Sequence, residues 1–295
     1  MTNGTEKSVW TQLSGAFANT IAGLQNSIVA MDGGGRSTTS GVVWQPGVIV
    51  TTHHGLRLRE NIQIIFSGES LTARLIGSDA TTDLAVLGID SDKLTPAPSA
   101  NDLVTRAGEI VLSVGRSRLG DISASYGIIA RTGSAWRTWR GGEIDRLIRP
   151  DIQLYVGQSG SALVNEQRQV LGINSPALAR QAVITIPAQT IRRVVDAILK
   201  LGHVPRPFLG LAMQPIPIPD PARELFPGGA EETLLVTHVE PKAPAAQAGV
   251  MVGDVIVSFI GKPVHGVHEI LHQIRACTSE TLSPWPSFAE VQNWI

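Results

Sequence analysis

The chain has one cysteine, Cys277, among 295 residues. No internal disulfide can form, so the fold depends on packing and tolerates a reducing compartment. Charge is scarce: 17% of residues are Asp, Glu, Lys or Arg, and the formal net charge is -1. That balance offers no general attraction for nucleic acid or anionic lipid. No apolar run is long enough to span a membrane. The first residues, MTNGTEKSVWTQL, lack a basic segment followed by an apolar one, so no secretory signal is visible. A cytoplasmic protein is expected, or a periplasmic one if an export signal is missing from this version. No nucleotide-binding loop is present, so energy-driven unfolding is not expected.

What is present is a 43% hydrophobic chain with room for two domains. Trp10, Leu13, Phe17, Ile21 and Leu24 fall at helical spacing and predict an amphipathic helix within residues 1–25. It either covers one end of a barrel or makes a subunit contact. From Ser27 to about Pro187 short apolar strands alternate with turns: Ser27–Met31, Gly41–Trp44, Val48–Thr52, Ile62–Phe66, Leu84–Ile89, Ile110–Val114, Ser125–Ala130 and Val170–Ile173. Short strands at regular spacing imply a sandwich or barrel. The stretch LTPAPSANDL crosses between two strand sets. A helix follows Pro187 through Ile191, Val194, Val195, Ile198 and Leu199, and Gly202 ends it.

One string carries the most chemistry: YVGQSGSALVN, Tyr155 to Asn165. A serine hydroxyl is a poor nucleophile at neutral pH and needs a base and a place for negative charge. Glycines beside Ser159 let the backbone turn N–H groups inward. Alone, Gly-x-Ser-Gly is an ordinary turn. Two upstream strings give it weight: VIVTTHHGL, with His53 and His54, and TTDLAVLGI, with Asp83. The order His, Asp, Ser separates the chain from α/β-hydrolases (Ser, Asp, His) and subtilisins (Asp, His, Ser).

These strings, with VLSVGR, FLGL and VEPKAPAAQAGVMVGDVIVSFIGKPV, resemble the HtrA (high-temperature-requirement) family of trypsin-like serine proteases. The resemblance covers nearly all of the chain before Cys277. It implies a mostly β fold: a double β-barrel protease domain over 26–203, then a smaller α+β PDZ-like domain over 204–276. His54 is then the base, with His53 the competing candidate, Asp83 its orienter and Ser159 the nucleophile. The backbone N–H groups of Gly157 and Ser159 are the expected oxyanion donors. Gln153 stands where basic-specific trypsins carry an aspartate, so small or medium apolar side chains are the expected preference; Ser175 is the second substrate-pocket residue. Phe208, Leu209, Gly210 and Leu211 should line the carboxylate end of a peptide groove. Two departures stand out. Ser161-Ala162 replaces Gly-Pro after the nucleophile, and Tyr155-Val156 replaces Asn-Pro before it.

The tail, 277–295, reads as atypical. Pro284 and Pro286 forbid an inner strand, so the second domain is expected to lack its final strands. The segment Arg131 to Arg146, with four arginines and two tryptophans, is either a solvated hairpin or a mobile regulatory loop. His268-Glu269-Ile-Leu-His272 matches a zinc-protease string, but a third ligand could come only from Glu280 or Glu290 in the tail, so no metal or other cofactor is expected. The combined expectation is an ATP-independent endopeptidase acting on unfolded proteins, homo-oligomeric (a trimer by resemblance), without nucleic-acid partners. The rival reading is a silent protease fold that holds peptides or acts as a chaperone.

Overall fold

The computed structural model describes residues 8–32, 38–56, 60–100, 104–205, 208–225, 231–259, 262–264, 270 and 289–292. The chain divides into two units, Met1–Val204 and Pro205–Ile295.

The first unit opens with helix α1, Val9–Ala22, whose N-cap Ser8 accepts from Thr11 N–H. Phe17 and Ile21 pack on the core, whereas Trp10 is 80% exposed. The helix therefore covers the core with its C-terminal half only. Six strands follow: β1 Ile28–Asp32, β2 Thr38–Gln45, β3 Val48–Thr52, β4 Asn61–Phe66, β5 Glu69–Asp79 and β6 Leu84–Gly88. They close into a barrel in the order β1-β2-β3-β6-β5-β4. Its interior is filled by residues such as Met31, Ile49, Ile64, Phe66 and Leu87. Strand β5 escaped the sequence reading because polar residues dominate it and only Ala73 and Asp79 are fully covered.

The second barrel is built from β7 Ile110–Arg116, β8 Ile122–Gly133, β11 Leu147–Asp151, β12 Ala162–Val164, β13 Val170–Ser175 and β14 Ile184–Pro187. Their order is β11-β14-β13-β12-β7-β8, again closed. Between β8 and β11 lies a small hairpin, β9 Trp136–Arg137 with β10 Glu143–Ile144. Closure leaves neither barrel with an unpaired edge. The segment that links β6 to β7 carries Ala97, which is buried in the core between the barrels.

Between the barrels runs the largest apolar cluster, with Val50 and Val86 from the first and Val114, Ile173 and Ile186 from the second. Helix α2, Ala188–Leu201, seals it with Ile191, Val194, Val195 and Ile198. Gly202 ends the helix at φ 77°, a left-handed conformation that suits glycine. One cation is buried here. Arg116, 4% exposed, donates from Nε to Ile28 O at 2.7 Å, and its other nitrogens meet the carbonyls of Gly120 and Gln25. Backbone carbonyls thus take the place of water around its charge.

The second unit is an open sheet. Its strands are β15 Leu211–Pro217, β16 Glu232–Val239, β17 Val255–Phe259 and β18 Lys262–Pro263, with helix α3 at Pro244–Gln247. Leu234, Val236, Ala245, Ile256 and Phe259 form its core. A further strand, β19 at Ala289–Gln292, pairs antiparallel with β17, Val255 opposite Gln292 and Phe259 opposite Ala289. This corrects the expectation that the tail supplies no strand. Both prolines precede the paired residues, so neither removes a donor from the ladder. Cys277 and the residues His268, Glu269 and His272 lie outside the described residues.

Candidate active site

The two barrels bring His54, Asp83 and Ser159 together. His54 follows β3, Asp83 precedes β6, and β3 pairs with β6 so that Thr52 faces Leu84. The pairing continues one step further, with His53 N–H donating to Asp83 O at 3.0 Å. Residues 29 positions apart thus become neighbours through the sheet register. His54 N–H donates to Asp83 Oδ1 at 2.9 Å, and His54 Nδ1 lies 2.7 Å from Asp83 Oδ2. A carboxylate only accepts, so this contact puts the imidazole proton on Nδ1. Nε2 is then free to accept. It stands 2.9 Å from Ser159 Oγ, across the barrel boundary. That is hydrogen-bond reach for a nucleophile and its base.

Asp83 is held firmly. It is 4% exposed and sits at φ 60°, a left-handed position that aspartate tolerates better than most residues. The preceding turn supports it: Asp79 accepts from Thr81 N–H at 3.1 Å, Thr81 Oγ1–H at 2.8 Å and Thr82 Oγ1–H at 2.8 Å. A further donor is Ser175 Oγ–H, 2.5 Å from Asp83 Oδ2. Ser175 was expected in the substrate pocket. It is fully buried at the end of β13, and its hydroxyl serves the aspartate. A buried carboxylate oxygen needs hydrogen-bond donors in place of water, and Ser175 is one of them.

His53 has a different setting. Among the described residues its Nδ1 is buried without a hydrogen-bond partner, and burial pushes its pKa below the usual 6.5. The structure places His54, not His53, against both Asp83 and Ser159.

The nucleophile sits on a constrained loop. Gln158 N–H donates to Tyr155 O at 3.0 Å across a four-residue turn, and Gly157 has φ 92°. A positive φ at the third position is the requirement of a type II turn and favours glycine. Among the described residues, Gly157 N–H and Ser159 N–H donate to no carbonyl, so both stand available beside Ser159 Oγ. Gly160 has φ 77°, and a Cβ there would come within 2.2 Å of Ser40 O. The Gly-x-Ser-Gly spacing is thus required by backbone conformation at both ends.

The two departures also find their places. Ser161 is fully buried, with Ser113 Oγ at 2.9 Å and Asn174 Nδ2 at 3.1 Å; Thr185 completes the chain by donating to Asn174 Oδ1 at 2.8 Å. Its hydroxyl is therefore satisfied. Tyr155 is half exposed and Val156 is 91% exposed, so their bulk points outward rather than into the turn.

Beside the loop lies a cavity of about 550 Å³, lined by Ile152, Leu154, Pro176 and Ala179–Val183 together with Arg149 and Asp151. Gln153 does not line it. Its neighbours Ile152 and Leu154 do, and the lining combines apolar groups with Arg149, Asp151 and Arg180.

Arg131 to Arg146 is more than a solvated loop. Thr138 Oγ1–H donates to Thr81 O at 2.7 Å, Arg140 lies 3.4 Å from Ala80 O, and Ile144 is fully buried. The hairpin thus rests on the turn that carries Asp83. Thr52 also escaped the sequence reading; its Oγ1 is 3.1 Å from Ser159 Oγ. A lone threonine in VIVTTHH gives no sign of this, because the contact crosses 107 residues.

In the second unit, Leu209 is buried in the core and Phe208 is 63% exposed. Gly210 has φ 75° and abuts Ala243; its carbonyl accepts from Glu240 N–H at 2.8 Å. Leu211 begins β15 opposite Val239.

Family models agree with this geometry. One described as a trypsin-like peptidase domain matches residues 39–173, and one described as a PDZ domain matches 235–283. The serine protease Do-like HtrA of Lactobacillus helveticus is 34% identical over 80% of this chain and 62% of its own length. A probable periplasmic serine endoprotease, DegP-like, of Rhizobium meliloti is 33% identical over 85% of this chain and 49% of its own. The crystal structure of the serine endoprotease from Yersinia pestis superposes with a TM-score of 0.65, at 28% identity, over 88% of this chain and 87% of that one. The chain spans about half to three-fifths of the length of the first curated relatives it matches. With both barrels and the PDZ sheet in place, the chain belongs to the HtrA family of trypsin-like serine proteases.

Proposed function

We propose that the protein is an ATP-independent serine endopeptidase that cleaves unfolded or damaged polypeptides. One observation carries the reading: His54 joins Asp83 at 2.7 Å through Nδ1 and Ser159 at 2.9 Å through Nε2. Ser159 Oγ attacks the scissile carbonyl while Nε2 takes its proton. Asp83 holds the tautomer and stabilises the imidazolium that forms. The developing oxyanion is received by Gly157 N–H and Ser159 N–H. His54 then returns the proton to the leaving amine, and water repeats the cycle to release the acyl group.

The second unit takes extended peptide segments by strand addition, with the Phe208–Leu211 stretch at the carboxylate end. The family resemblance further supports a homo-oligomer, a trimer assembled through α1, whose N-terminal half leaves Trp10 exposed. The cytoplasmic placement finds no support in the relatives. We place the protein in the periplasm, as the printed name of the Rhizobium meliloti relative places that protein.

A fluorophosphonate label and unfolded casein test the reading. The parent chain should be labelled at Ser159 and should degrade casein, and Ser159→Ala should do neither. His54→Ala should abolish both, whereas His53→Ala should keep much of the activity. A parent chain that folds but takes no label would turn the reading into that of a peptide-binding module.

A further inference from the structure

We propose that Ser40, with Thr39 beside it, is a positioning residue that holds the oxyanion donors in place from the opposite barrel. The inference rests on the serine-protease reading above. Both residues lie at the start of β2 in the first barrel and are buried. The loop they hold belongs to the second barrel.

Three contacts to the loop define the latch. Ser40 N–H donates to Ser159 O at 2.7 Å, and Thr39 Oγ1–H donates to the same oxygen at 2.6 Å. Ser40 Oγ lies 2.7 Å from Gly157 O and 3.4 Å from Arg116 O. It also receives Arg116 N–H at 3.0 Å. With that amide as donor to the oxygen, the single hydroxyl hydrogen goes to the nearer carbonyl, that of Gly157. Room for the hydroxyl exists because residue 115 is glycine; a Cβ there would approach Ser40 Oγ to 2.7 Å.

The consequence follows from peptide planarity. The oxyanion donors are the N–H groups of Gly157 and Ser159. Fixing the carbonyls of Gly157 and Ser159 fixes the two peptide planes on either side of the Gln158–Ser159 peptide. Its N–H therefore has little freedom to turn. The Val156–Gly157 peptide is the weak point. Glycine is indifferent to the sign of φ, so nothing intrinsic to Gly157 keeps it at 92°. A flip would point Val156 C=O, instead of Gly157 N–H, at the developing oxyanion. Holding Gly157 O on Ser40 Oγ fixes the plane that follows, so a flip has to be taken up by ψ of Val156 and φ of Gly157 alone. The hydroxyl touches no substrate and no reacting atom; it acts through the loop.

Losing one oxyanion donor costs about 100- to 1000-fold in kcat. Loosening a donor without removing it should cost less. Ser40→Ala should therefore lower kcat on casein, and the rate of fluorophosphonate labelling, about 10- to 100-fold with KM nearly unchanged. Thr39→Val, which keeps shape but lacks the donor, should lose about fivefold, and Thr39→Ser should restore the rate. Melting temperatures of all variants are measured alongside, and the Thr39 pair keeps the test decisive if Ser40→Ala does not fold. A folded Ser40→Ala with the parent labelling rate overturns the inference and leaves the protease reading standing. So does a loss confined to KM, or a Thr39→Ser that is as slow as Thr39→Val. A folded parent that takes no label overturns both.

Discussion

The two barrels share a plan and differ in what they give the site. The first supplies His54 and Asp83 from paired strand ends, held by the β3–β6 register and by the Asp79 turn. Its interior holds an apolar cluster that includes Met31, Ile49, Ile64 and Leu87. The second supplies Ser159 from a loop between β11 and β12. Behind that loop stands a polar chain, Ser113, Ser161, Asn174 and Thr185, every member hydrogen bonded. The difference separates two ways of placing a side chain. Ladder bonds place His54 and Asp83. Side-chain hydroxyls from the other barrel, those of Thr39, Ser40 and Thr52, meet the loop that carries Ser159.

The largest test removes the charge that the first barrel presents. Asp83→Asn should lower kcat about 10,000-fold, because an amide donates toward Nδ1 and favours the wrong tautomer. Stability should change far less, which a melting curve would check. If activity falls only a few-fold, the register between β3 and β6 is not what orients His54.

Next comes the contrast between interiors. Ile64→Ala, at a fully buried position of the first barrel, should cost about 2–5 kcal/mol of stability. Labelling of Ser159 in the fraction that remains folded should continue, since Ile64 belongs to the interior cluster of the first barrel. Ser161→Ala, in the polar chain, should cost nearer 1–3 kcal/mol by leaving Ser113 and Asn174 short of a partner. If Ser161→Ala also slows labelling while the protein stays folded, the chain behind the loop positions the nucleophile as well.

Ser175→Ala sharpens the comparison from the other direction, since here the second barrel serves the first. Losing a hydrogen bond to a charged group is worth about 1.5–3 kcal/mol, so a drop in kcat of about tenfold or more is expected. KM should hold. A rise in KM alone would return Ser175 to the substrate pocket.

The smallest effect is electrostatic. Burial lowers the pKa of His53 below 6.5 in the folded state. Below pH 6.5 the unfolded chain binds a proton that the folded chain resists, so stability falls as pH drops through that value. The loss continues until the folded pKa is passed. Replacing His53 with Gln should flatten the dependence of melting temperature on pH between 7.5 and 5.5. An unchanged slope would mean that His53 does not titrate in that window.

Much of this was legible in the chain. Short continuous apolar runs announce β1, β3, β6 and β7, because these strands are covered on both faces. Gly202 announces the end of α2, and the His, Asp, Ser order announces the chemistry. The strands that were missed explain themselves. β12 is three residues long and β11 contains Pro150, so neither offers a periodic window. The tail misled because two prolines lie near β19 without lying in it.

The sequence alone determined the chemical types: which histidines end an apolar strand, which serine stands between glycines, which segments are apolar enough to bury. Those are local properties, written in neighbouring residues. Only the tertiary structure decided what each hydroxyl does. Ser40 reaches Gly157 across 117 residues, Ser175 reaches Asp83 across 92, and Thr52 reaches Ser159 across 107. A hydrogen bond of this kind depends on where two barrels meet to within a fraction of an ångström. No spacing along a chain encodes that distance; the packed core between the barrels sets it.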